Sequence, residues 1–323
     1  MKVLLLYNTT KDIATPDDDD VLAQLEATRT SLEVLGHTTE SFGITLDLTK
    51  LISKLEASKP DLIFNLVESI DGVESYMHFV PLILEQKRIK FSGCSSNALY
   101  VTTNKVAAKK TLKLNGLPTP EWFTKDIAEN DLIHMSKPFI IKPISADASV
   151  GLDEDSVIRD SSKLFTELQA RSKKYGDCFG EEYIEGREFN ISLIEIDNEP
   201  VILPIAEIVF NNYPEGKEKV IGYTSKWDTD SFEYKNTVRS FKFSENDSEL
   251  LAKLRKISTE CWNAFNLSGY ARVDFRVSDE GDIYILEVNA NPCISPDAGF
   301  TAACNQAGIE YTKMIEVILQ AAK

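Results

Sequence analysis

The sequence YARVDFRVSDEGDIYILEVNANP, residues 270–292, predicts two adjacent strands. Polar and apolar side chains alternate in its first third, as they do in a strand that has one buried face. A polar turn, Ser278–Gly281, follows, and a second alternating segment begins at Asp282. If four residues make the turn, Val277 pairs with Asp282, and the polar side chains of both strands share one face. That face then consists of Arg272, Asp274, Arg276, Glu287 and Asn289.

Two carboxylates, Asp274 and Glu287, lie side by side on this predicted face, together with the amide of Asn289. Like charges on neighbouring strands destabilise a hairpin, so a positive group should compensate them. A divalent cation such as magnesium takes oxygen ligands of this kind. Alternatively, Arg272 and Arg276 neutralise the acids as a surface network. The hairpin alone leaves both interpretations open, and a loop shorter by one residue would separate the acids.

Charge, hydropathy and cysteine content exclude several classes of protein. The chain has 323 residues and a formal net charge of −16, which opposes nucleic-acid binding because phosphates are repelled. No apolar run approaches the roughly 18 residues of a membrane span, and the start MKVLLLYN lacks the features of a signal peptide. Five widely spaced cysteines form no metal-binding pattern and indicate free thiols in a reducing compartment. We therefore expect a cytoplasmic protein without a nucleic-acid or membrane partner.

The first hundred residues alternate strands and helices, which predicts a doubly wound parallel sheet. Lys2–Tyr7 is a continuous apolar strand, and Asp20 is expected to cap a helix from Val21 to about Leu35. The first strand-to-helix turn has no G-x-G-x-x-G, which argues against a dinucleotide site. Ligands of such sheets bind beyond the carboxyl ends of the strands. The loops 8–20 and 68–74 should therefore face the substrate. A short strand is also predicted at 89–92.

Two lysines lie at the ends of predicted elements, Lys105 near the start of a helix and Lys142 at the end of a strand. A predicted helix, Thr102–Asn115, carries Lys105 in its first turn, where backbone N–H groups favour anions. Three further lysines of that helix are expected on its solvated face; they are Lys109, Lys110 and Lys113. The strand Pro138–Lys142 ends in a lysine that packing does not explain, because burying an unpaired ammonium is costly. The small residues of the following loop, 144–151, let backbone N–H groups approach an oxyanion.

Residues 211–236 form a long segment with weak periodicity, and such segments are usually lids or disordered. Its three aromatic residues argue against disorder. We therefore expect a lid, and Lys226 is its candidate ligand-facing cation.

The pattern Arg272-x-Asp274 followed by Glu287-x-Asn289-x-x-Pro292 resembles the C-terminal signature of the ATP-grasp ligases, particularly those like D-alanine–D-alanine ligase. The resemblance implies that Asp274, Glu287 and Asn289 bind magnesium, as one or two ions, with manganese as a substitute. It also implies that Arg272 stabilises the charge of the reacting phosphate, helped by backbone N–H groups near Cys293. Cys293 is not expected to be a nucleophile, because nothing suggests a histidine partner.

Other segments resemble further parts of the same family, in the same order along the chain. TNKVAAKKTLKLNGLPTP and PFIIKP resemble the segments whose lysines, here Lys105 and Lys142, hold the α- and β-phosphates of ATP. ISADASVG resembles the phosphate flap, with Ser149 as its hydroxyl. In the hinge-like segment EEYIEGRE, backbone groups near Tyr183 and Ile184 would contact adenine. The remaining implied nucleotide ligands are Glu181, Glu188 at the ribose, and Lys226 over the phosphates.

Taken together, these resemblances imply an α/β ATP-grasp fold with a doubly wound N-terminal lobe and two α+β lobes that enclose ATP. The expected boundaries are 1–100, 101–184 and 185–323. The implied enzyme is an ATP- and magnesium-dependent carboxylate–amine ligase acting on small amino acids or peptides, and the fold allows a homodimer. The alternatives are a non-catalytic ATP sensor on the same fold, a carboxylase-like subunit that works with a biotin carrier, and a true D-alanine–D-alanine ligase.

The chain departs from the D-alanine–D-alanine ligases where those enzymes bind substrate. After the first strand it has YNTTKDIATP, residues 7–16, in place of the family's Gly-Gly start and Glu-Arg pair. After Pro292 it has CISPDAG, residues 293–299, in place of a glycine and a run of serines. We therefore expect D-alanine to be a poor substrate. The aspartates 17–20 could meet an amine, although an exposed acidic loop is the simpler interpretation.

Overall fold

Three β-sheets organise the part of the chain that the structure, a computed structural model, describes, namely residues 1–9, 16–146, 149 and 151–323. The first sheet is parallel, with strand order β2-β1-β3. The N-terminal elements are β1 (Lys2–Asn8), α1 (Pro16–Val34), β2 (Thr38–Ile44), α2 (Leu48–Ser58), β3 (Leu62–Asn65) and α3 (Phe79–Lys87). The predicted parallel sheet is confirmed. Its central strand is buried on both faces, because Leu4 and Leu6 pack into one core while Val3 and Leu5 pack into another.

The first helix begins five residues earlier than predicted. Proline suits the first helical position and acids suit the first turn, so Pro16 and the aspartates after it start α1 instead of forming a loop. The predicted cap at Asp20 is therefore wrong. The remainder of the predicted loop, 10–15, lies outside the described residues. The strand predicted at 89–92 is reduced to a single bridge between Ile63 and Phe91.

The predicted single helix 102–115 is two helices, α4 (Ser96–Thr103) and α5 (Lys105–Leu114). The chain leaves the helical conformation at Asn104, whose side chain accepts a 2.9 Å hydrogen bond from the N–H of Ala107. An N-cap of this kind starts a new helix. Lys105 is consequently the first residue of α5, which confirms its predicted place in a first turn.

A second, antiparallel sheet has strand order β4-β7-β5-β6. Its elements are β4 (Trp122–Phe123), α6 (Glu129–Ile133), β5 (Phe139–Pro143), β6 (Val157–Ile158), α7 (Leu164–Tyr175) and β7 (Cys178–Glu182). Phe123, Ile141 and Leu168 belong to the separate core between this sheet and its helices. The strand that carries Lys142 is confirmed.

The third sheet has the order β11-β10-β8-β12-β13, with β9 paired to β8. Its strands and helices are β8 (Arg187–Ile196), β9 (Glu199–Ile202), β10 (Ala206–Phe210), α8 (Tyr223–Trp227), α9 (Phe232–Asn236), β11 (Thr237–Ser240), α10 (Ser248–Ala264), β12 (Tyr270–Val277), β13 (Ile283–Asn289), α11 (Gly299–Gln306) and α12 (Tyr311–Gln320). Leu254 and Trp262 of α10 join Phe275 of β12 in one core, so this helix packs on the apolar face of the hairpin. The same core includes Leu4 and Leu6, so the first and third sheets pack together.

Residues 211–236, predicted to be irregular, contain the short helices α8 and α9. None of the helices in the described part of the chain is both long and apolar enough to cross a bilayer.

Gly186, the residue before β8, provides a test of the packing of β8 against β12. Its φ is +134°, and a Cβ there would lie 2.0 Å from the carbonyl oxygen of Val277. We expect Gly186→Ala to lower the free energy of unfolding by more than about 3 kcal/mol, because the clash is with backbone that cannot move alone. Gly216→Ala is the control: its φ is +81° but no atom lies within 4 Å, so only about 1 kcal/mol should be lost. Equal losses in urea unfolding would contradict the packing of β8 against β12.

Candidate active site

The turn between β12 and β13 is longer than predicted. Val277 pairs with Ile283 and not with Asp282, so the predicted register is wrong. Continued without interruption, the observed register would place Asp274 opposite Leu286. Asp274 would then lie on the face away from the other acid.

A β-bulge corrects this alignment. The register shifts between Asp274 and Phe275, so that Leu286 is the extra residue of β13. Asp274 therefore lies directly opposite Glu287, and Arg272 lies opposite Asn289. The predicted shared face is confirmed, although a longer turn and a bulge together produce it.

Asp274 is a largely buried carboxylate with a full set of donors. Arg272 donates to both of its oxygens, from Nε to Oδ1 and from Nη2 to Oδ2, each at 2.8 Å. Asn190 donates to Oδ1 at 2.8 Å, and Asn289 donates to Oδ2 at 3.0 Å. Burial lowers the pKa of Arg272, but Asp274 and Glu287 outweigh it and raise that pKa above its ordinary value. The raised pKa keeps the Arg272 guanidinium charged beside Asp274.

Glu287 pairs with a lysine from another part of the chain. Its Oε1 lies 2.9 Å from Nζ of Lys105, which also donates to the carbonyl oxygen of Ala146 at 2.8 Å. Burial alone would raise the pKa of Glu287. Lys105, Arg272 and Lys142 together outweigh burial and lower that pKa to about 2. Glu287 is therefore ionised at neutral pH.

The donor set on this face fits a hard divalent cation. Asp274 and Glu287 lie opposite each other, and the amide nitrogen of Asn289 faces Asp274, so the amide oxygen is the atom that could bind a metal. Within the described residues there is no cluster of three or more His, Cys, Asp or Glu side chains that could hold a metal. The rest of a coordination shell would have to come from substrate oxygens and water. The magnesium assignment remains a prediction.

Lys142 approaches the same region from β5. Its Nζ donates to Oε1 of Glu181 at 2.6 Å. The other carboxylate oxygen of Glu181 pairs with Lys109. Burial would raise the pKa of Glu181, and the two lysines outweigh it and lower that pKa.

Lys109 corrects one prediction. It was expected on a solvated helix face, but its side chain is only 1% exposed. Its Nζ donates to Oγ1 of Thr119 at 2.7 Å and lies 5.7 Å from the ring centroid of Trp122. The reason is that this face of α5, which also carries Leu112, packs inward. The neighbouring Lys110 and Lys113 are exposed, as predicted.

The hinge segment is held by backbone and ionic contacts. Tyr183 and Ile184 are buried, and the N–H of Tyr183 donates to the carbonyl oxygen of Pro138 at 2.9 Å. Glu188 is also buried and accepts a 2.9 Å hydrogen bond from Nε of Arg276. Arg276 lies 5.8 Å from the ring of Tyr183. The structure thus brings Tyr183 and Glu188 to one arginine that the sequence did not single out for nucleotide binding.

The predicted flap is partly described. Ser149 has a φ of +63°, in the left-handed region, and its carbonyl oxygen accepts from the N–H of Leu152 at 3.0 Å. Residues 147, 148 and 150 lie outside the described residues. An oxyanion-binding role for this loop remains a prediction.

The predicted lid contacts the end of the flap. The N–H of Tyr223 donates to the carbonyl oxygen of Leu152 at 3.2 Å, and Lys217 pairs with Glu154. Lys226 lies on α8 with an exposed side chain. Its expected place over phosphates remains a prediction.

Cys293 is a thiol and not a thiolate. It donates to Oδ2 of Asp20 at 3.1 Å. Burial raises its pKa well above the ordinary value, and Glu68 and Asp20 raise it further. This supports the expectation that it is not a nucleophile.

Arg239 is a site residue that the sequence analysis missed. Its strand partner is Ile208, which pairs with Glu188, which in turn pairs with Arg276. Directly opposite residues share a face, so Arg239 lies on the same sheet face as these charged residues. Only tertiary pairing reveals this, because the strand β11 has four residues and no clear alternation.

The guanidinium of Arg239 lies against the first residue of α11. A Cβ built on Gly299 would be 3.3 Å from its Nη2. Arg239 is an exposed residue, yet partial desolvation of its guanidinium and the charge of Arg272 lower its pKa, while Asp297 raises it. Arg239 forms no ion pair with any residue in the described part of the chain. It is therefore a second guanidinium within electrostatic reach of Arg272.

Comparisons with known proteins agree with this geometry. A family model described as D-ala D-ala ligase C-terminus matches residues 111–320. The D-alanine–D-alanine ligase of Aquifex aeolicus is 28% identical over 297 residues, covering 91% of this chain and 92% of that protein.

Solved structures share the fold at lower identity. The D-alanine–D-alanine ligase of Bacillus anthracis complexed with ATP superposes with a TM-score of 0.75 at 21% identity, covering 99% of this chain and 96% of that one. The VanG D-Ala:D-Ser ligase of Enterococcus faecalis gives 0.73 at 18% identity, with 99% and 98% covered. These likenesses confirm the predicted ATP-grasp fold. Because the family model matches more than half of the chain, the chain belongs to the D-alanine–D-alanine ligase family of ATP-grasp proteins.

Proposed function

We propose that this protein is an ATP- and magnesium-dependent carboxylate–amine ligase that forms an amide through an acylphosphate. The proposal depends on the direct opposition of the carboxyl groups of Asp274 and Glu287, with Arg272 and Lys105 against them. Lys142 lies close enough to lower the pKa of Glu287. Phosphoryl transfer requires little covalent chemistry from a protein, so such a concentration of fixed charge suits it.

The reaction proceeds in two steps. An oxygen of the first substrate's carboxylate attacks the γ-phosphorus of ATP, the bond to the β-phosphate oxygen breaks, and ADP leaves. The amine of the second substrate then attacks the acyl carbon, phosphate leaves, and the nitrogen loses a proton. Magnesium, held by Asp274, Glu287 and Asn289, would supply charge neutralisation and orientation of the phosphates.

Lys105 and Arg272 have two kinds of partner, the carboxylates of this face and the phosphate oxygens of a nucleotide. Lys105 and Arg272 pair with the acids in this structure. Both are also cations of the kind that bind phosphate oxygens. Arg272 stabilises the charge that develops during transfer, and backbone N–H groups near Cys293 assist it. Lys142 completes the phosphate contacts.

We assign the nucleotide to the cleft between residues 101–184 and 185–323. Backbone groups near Tyr183 and Ile184 contact adenine, and Glu188 takes the ribose hydroxyls. Glu181 holds the phosphate lysine. Ser149 of the flap and Lys226 of the lid cover the phosphates and exclude water.

We propose that the substrates are amino acids or a small peptide other than two D-alanines. Ser295, the hydroxyl residue in the segment after Pro292, is 1% exposed and contacts Cys293, so it does not face a substrate. Ala298 starts α11 without a side-chain cap. Arg239 lies at this helix start instead. The planar guanidinium of an arginine binds carboxylates, so Arg239 is a candidate ligand for a carboxylate of the amine substrate.

The names of the relatives favour a second candidate, synthesis of D-alanyl-D-alanine itself. A non-catalytic sensor is disfavoured because both acids and the amide of the metal face are retained. The substrate assay below separates the first two possibilities.

Removal of either acid should abolish turnover. We expect Asp274→Asn and Glu287→Gln each to lower the rate of magnesium-dependent ADP formation by on the order of 1,000-fold, the loss typical of a fixed catalytic charge. Asp279→Asn, in the exposed turn of the same hairpin, is the matched control and should keep full activity. Urea unfolding checks that the variants are folded. Near-normal turnover by both site variants would show that the metal face is wrongly assigned.

Nucleotide should protect the lid. A non-hydrolysable ATP analogue with magnesium should slow hydrogen exchange across 211–236, because the segment already contacts the flap end. The buried helix α12 is the internal control and should not change. Unchanged exchange in 211–236 at saturating analogue would exclude a lid.

D-Alanine should be a poor substrate at both positions. Losing a hydrogen-bond partner for a charged group costs about 1.5–3 kcal/mol, or about 10- to 100-fold in affinity. A screen of amino-acid pairs for ADP release should therefore find pairs that exceed D-alanine with itself by at least about 10-fold. Robust D-alanyl-D-alanine synthesis at millimolar D-alanine would instead establish the second candidate.

A further inference from the structure

We propose that Lys109 is a positioning residue for the nucleotide: through the buried carboxylate of Glu181, it leaves the positive charge of Lys142 available to phosphate. This inference rests on the proposed function, because it concerns the same ATP site. Lys109 itself does not reach the cleft, so it acts only through Glu181.

Lys109, Glu181 and Lys142 form a buried cluster of three charged side chains, and only Lys142 is accessible from outside the cluster. Lys142 donates to one oxygen of Glu181 at 2.6 Å, and Lys109 pairs with the other oxygen. The side chains of Lys109 and Glu181 are each 1% exposed, whereas that of Lys142 is 13% exposed. A ligand can therefore contact this cluster only through Lys142.

The net charge of the cluster determines the charge that a ligand encounters at Lys142. Two ammonium groups and one carboxylate leave a net charge of +1, carried by the accessible end. Without Lys109, Glu181 would neutralise Lys142 completely, and a buried carboxylate does so effectively because water does not screen it. Burial lowers the pKa of Lys109, and the carboxylate of Glu181 only partly opposes that change.

Lys109 also connects this cluster to the face of the third sheet that carries Asp274 and Glu287. Its Nζ donates to Oγ1 of Thr119 at 2.7 Å, and Thr119 donates to the carbonyl oxygen of Ile285 at 2.9 Å. Ile285 immediately precedes Leu286, the extra residue of the bulge that places Glu287 on the same face as Asp274. One ammonium thus fixes both a phosphate lysine and the strand that carries an acid.

A purely structural role is the competing explanation. Burying an ammonium is costly, and apolar residues of similar volume often replace a buried ion pair without loss of stability. Packing alone therefore does not require a charge at this position. The two explanations differ in what restores function when Lys109 is lost.

The test compares three variants in the full chain: Lys109→Met, Lys113→Met, and the double variant Lys109→Met/Glu181→Gln. Lys113 is a matched control, because it is an exposed lysine of the same helix. The readout is the Kd of a non-hydrolysable ATP analogue with magnesium, together with KM for ATP and for the amine. Urea unfolding of each variant checks folding.

We expect Lys109→Met to weaken analogue binding and raise KM for ATP by on the order of 10-fold or more, without changing KM for the amine. Lys113→Met should bind normally. The double variant should recover most of the loss, because removing both buried charges restores the net +1 at Lys142. A purely structural role predicts instead that the Kd of the analogue follows the free energy of unfolding from variant to variant, because replacing the whole pair also restores stability.

Normal analogue binding by Lys109→Met would overturn the inference, and so would an equal loss in the single and double variants when both are folded. If Lys109→Met does not fold, Lys109→Gln replaces it, because glutamine can still donate to Thr119. Failure of the unchanged protein to bind the analogue would instead overturn the proposed function, which separates the two results.

Discussion

The opposition of Asp274 and Glu287 across β12 and β13 is the interaction on which the rest of the site depends. Two ionised carboxylates on paired residues repel each other, and they are stable there only if cations lie close. Arg272, on the same strand, satisfies one acid, and Lys105, at the start of α5, satisfies the other. Compensation of the acid pair therefore holds a helix from a distant part of the chain against the hairpin.

Helix α5 connects the two sheets that border the proposed nucleotide cleft. Lys105 and Lys109 are four residues apart and so lie on one side of the helix. The first contacts the acid face of the third sheet, and the second contacts Glu181 in the second sheet. Each lysine is paired with a carboxylate of a different sheet, so the helix sets their separation. The cap at Asn104 fixes where α5 begins and thereby which lysine occupies its first turn.

The distribution of charge is as informative as its total. A chain with a net charge of −16 would repel an anionic substrate unless its cations were concentrated. The structure concentrates them around one sheet face, where Arg272 and Arg239 lie within electrostatic reach and Lys105 and Lys142 act on the same carboxylate. Asp274, Glu287 and Glu181 pair with Arg272, Lys105 and Lys142, respectively. This arrangement suits a substrate that carries phosphates and carboxylates.

Side-chain period and motif order are local properties, and they were enough to predict the parallel first sheet, the alternation of β12 and the residues that share a face with Asp274. The order of several short motifs also supported the family assignment. The tertiary structure was needed for the hairpin register, because the longer turn and the bulge at Leu286 offset each other and the alternation of polar and apolar residues shows neither. It alone decided the burial of Lys109 and the placement of Arg239, because packing partners distant in sequence determine which face of an element is covered.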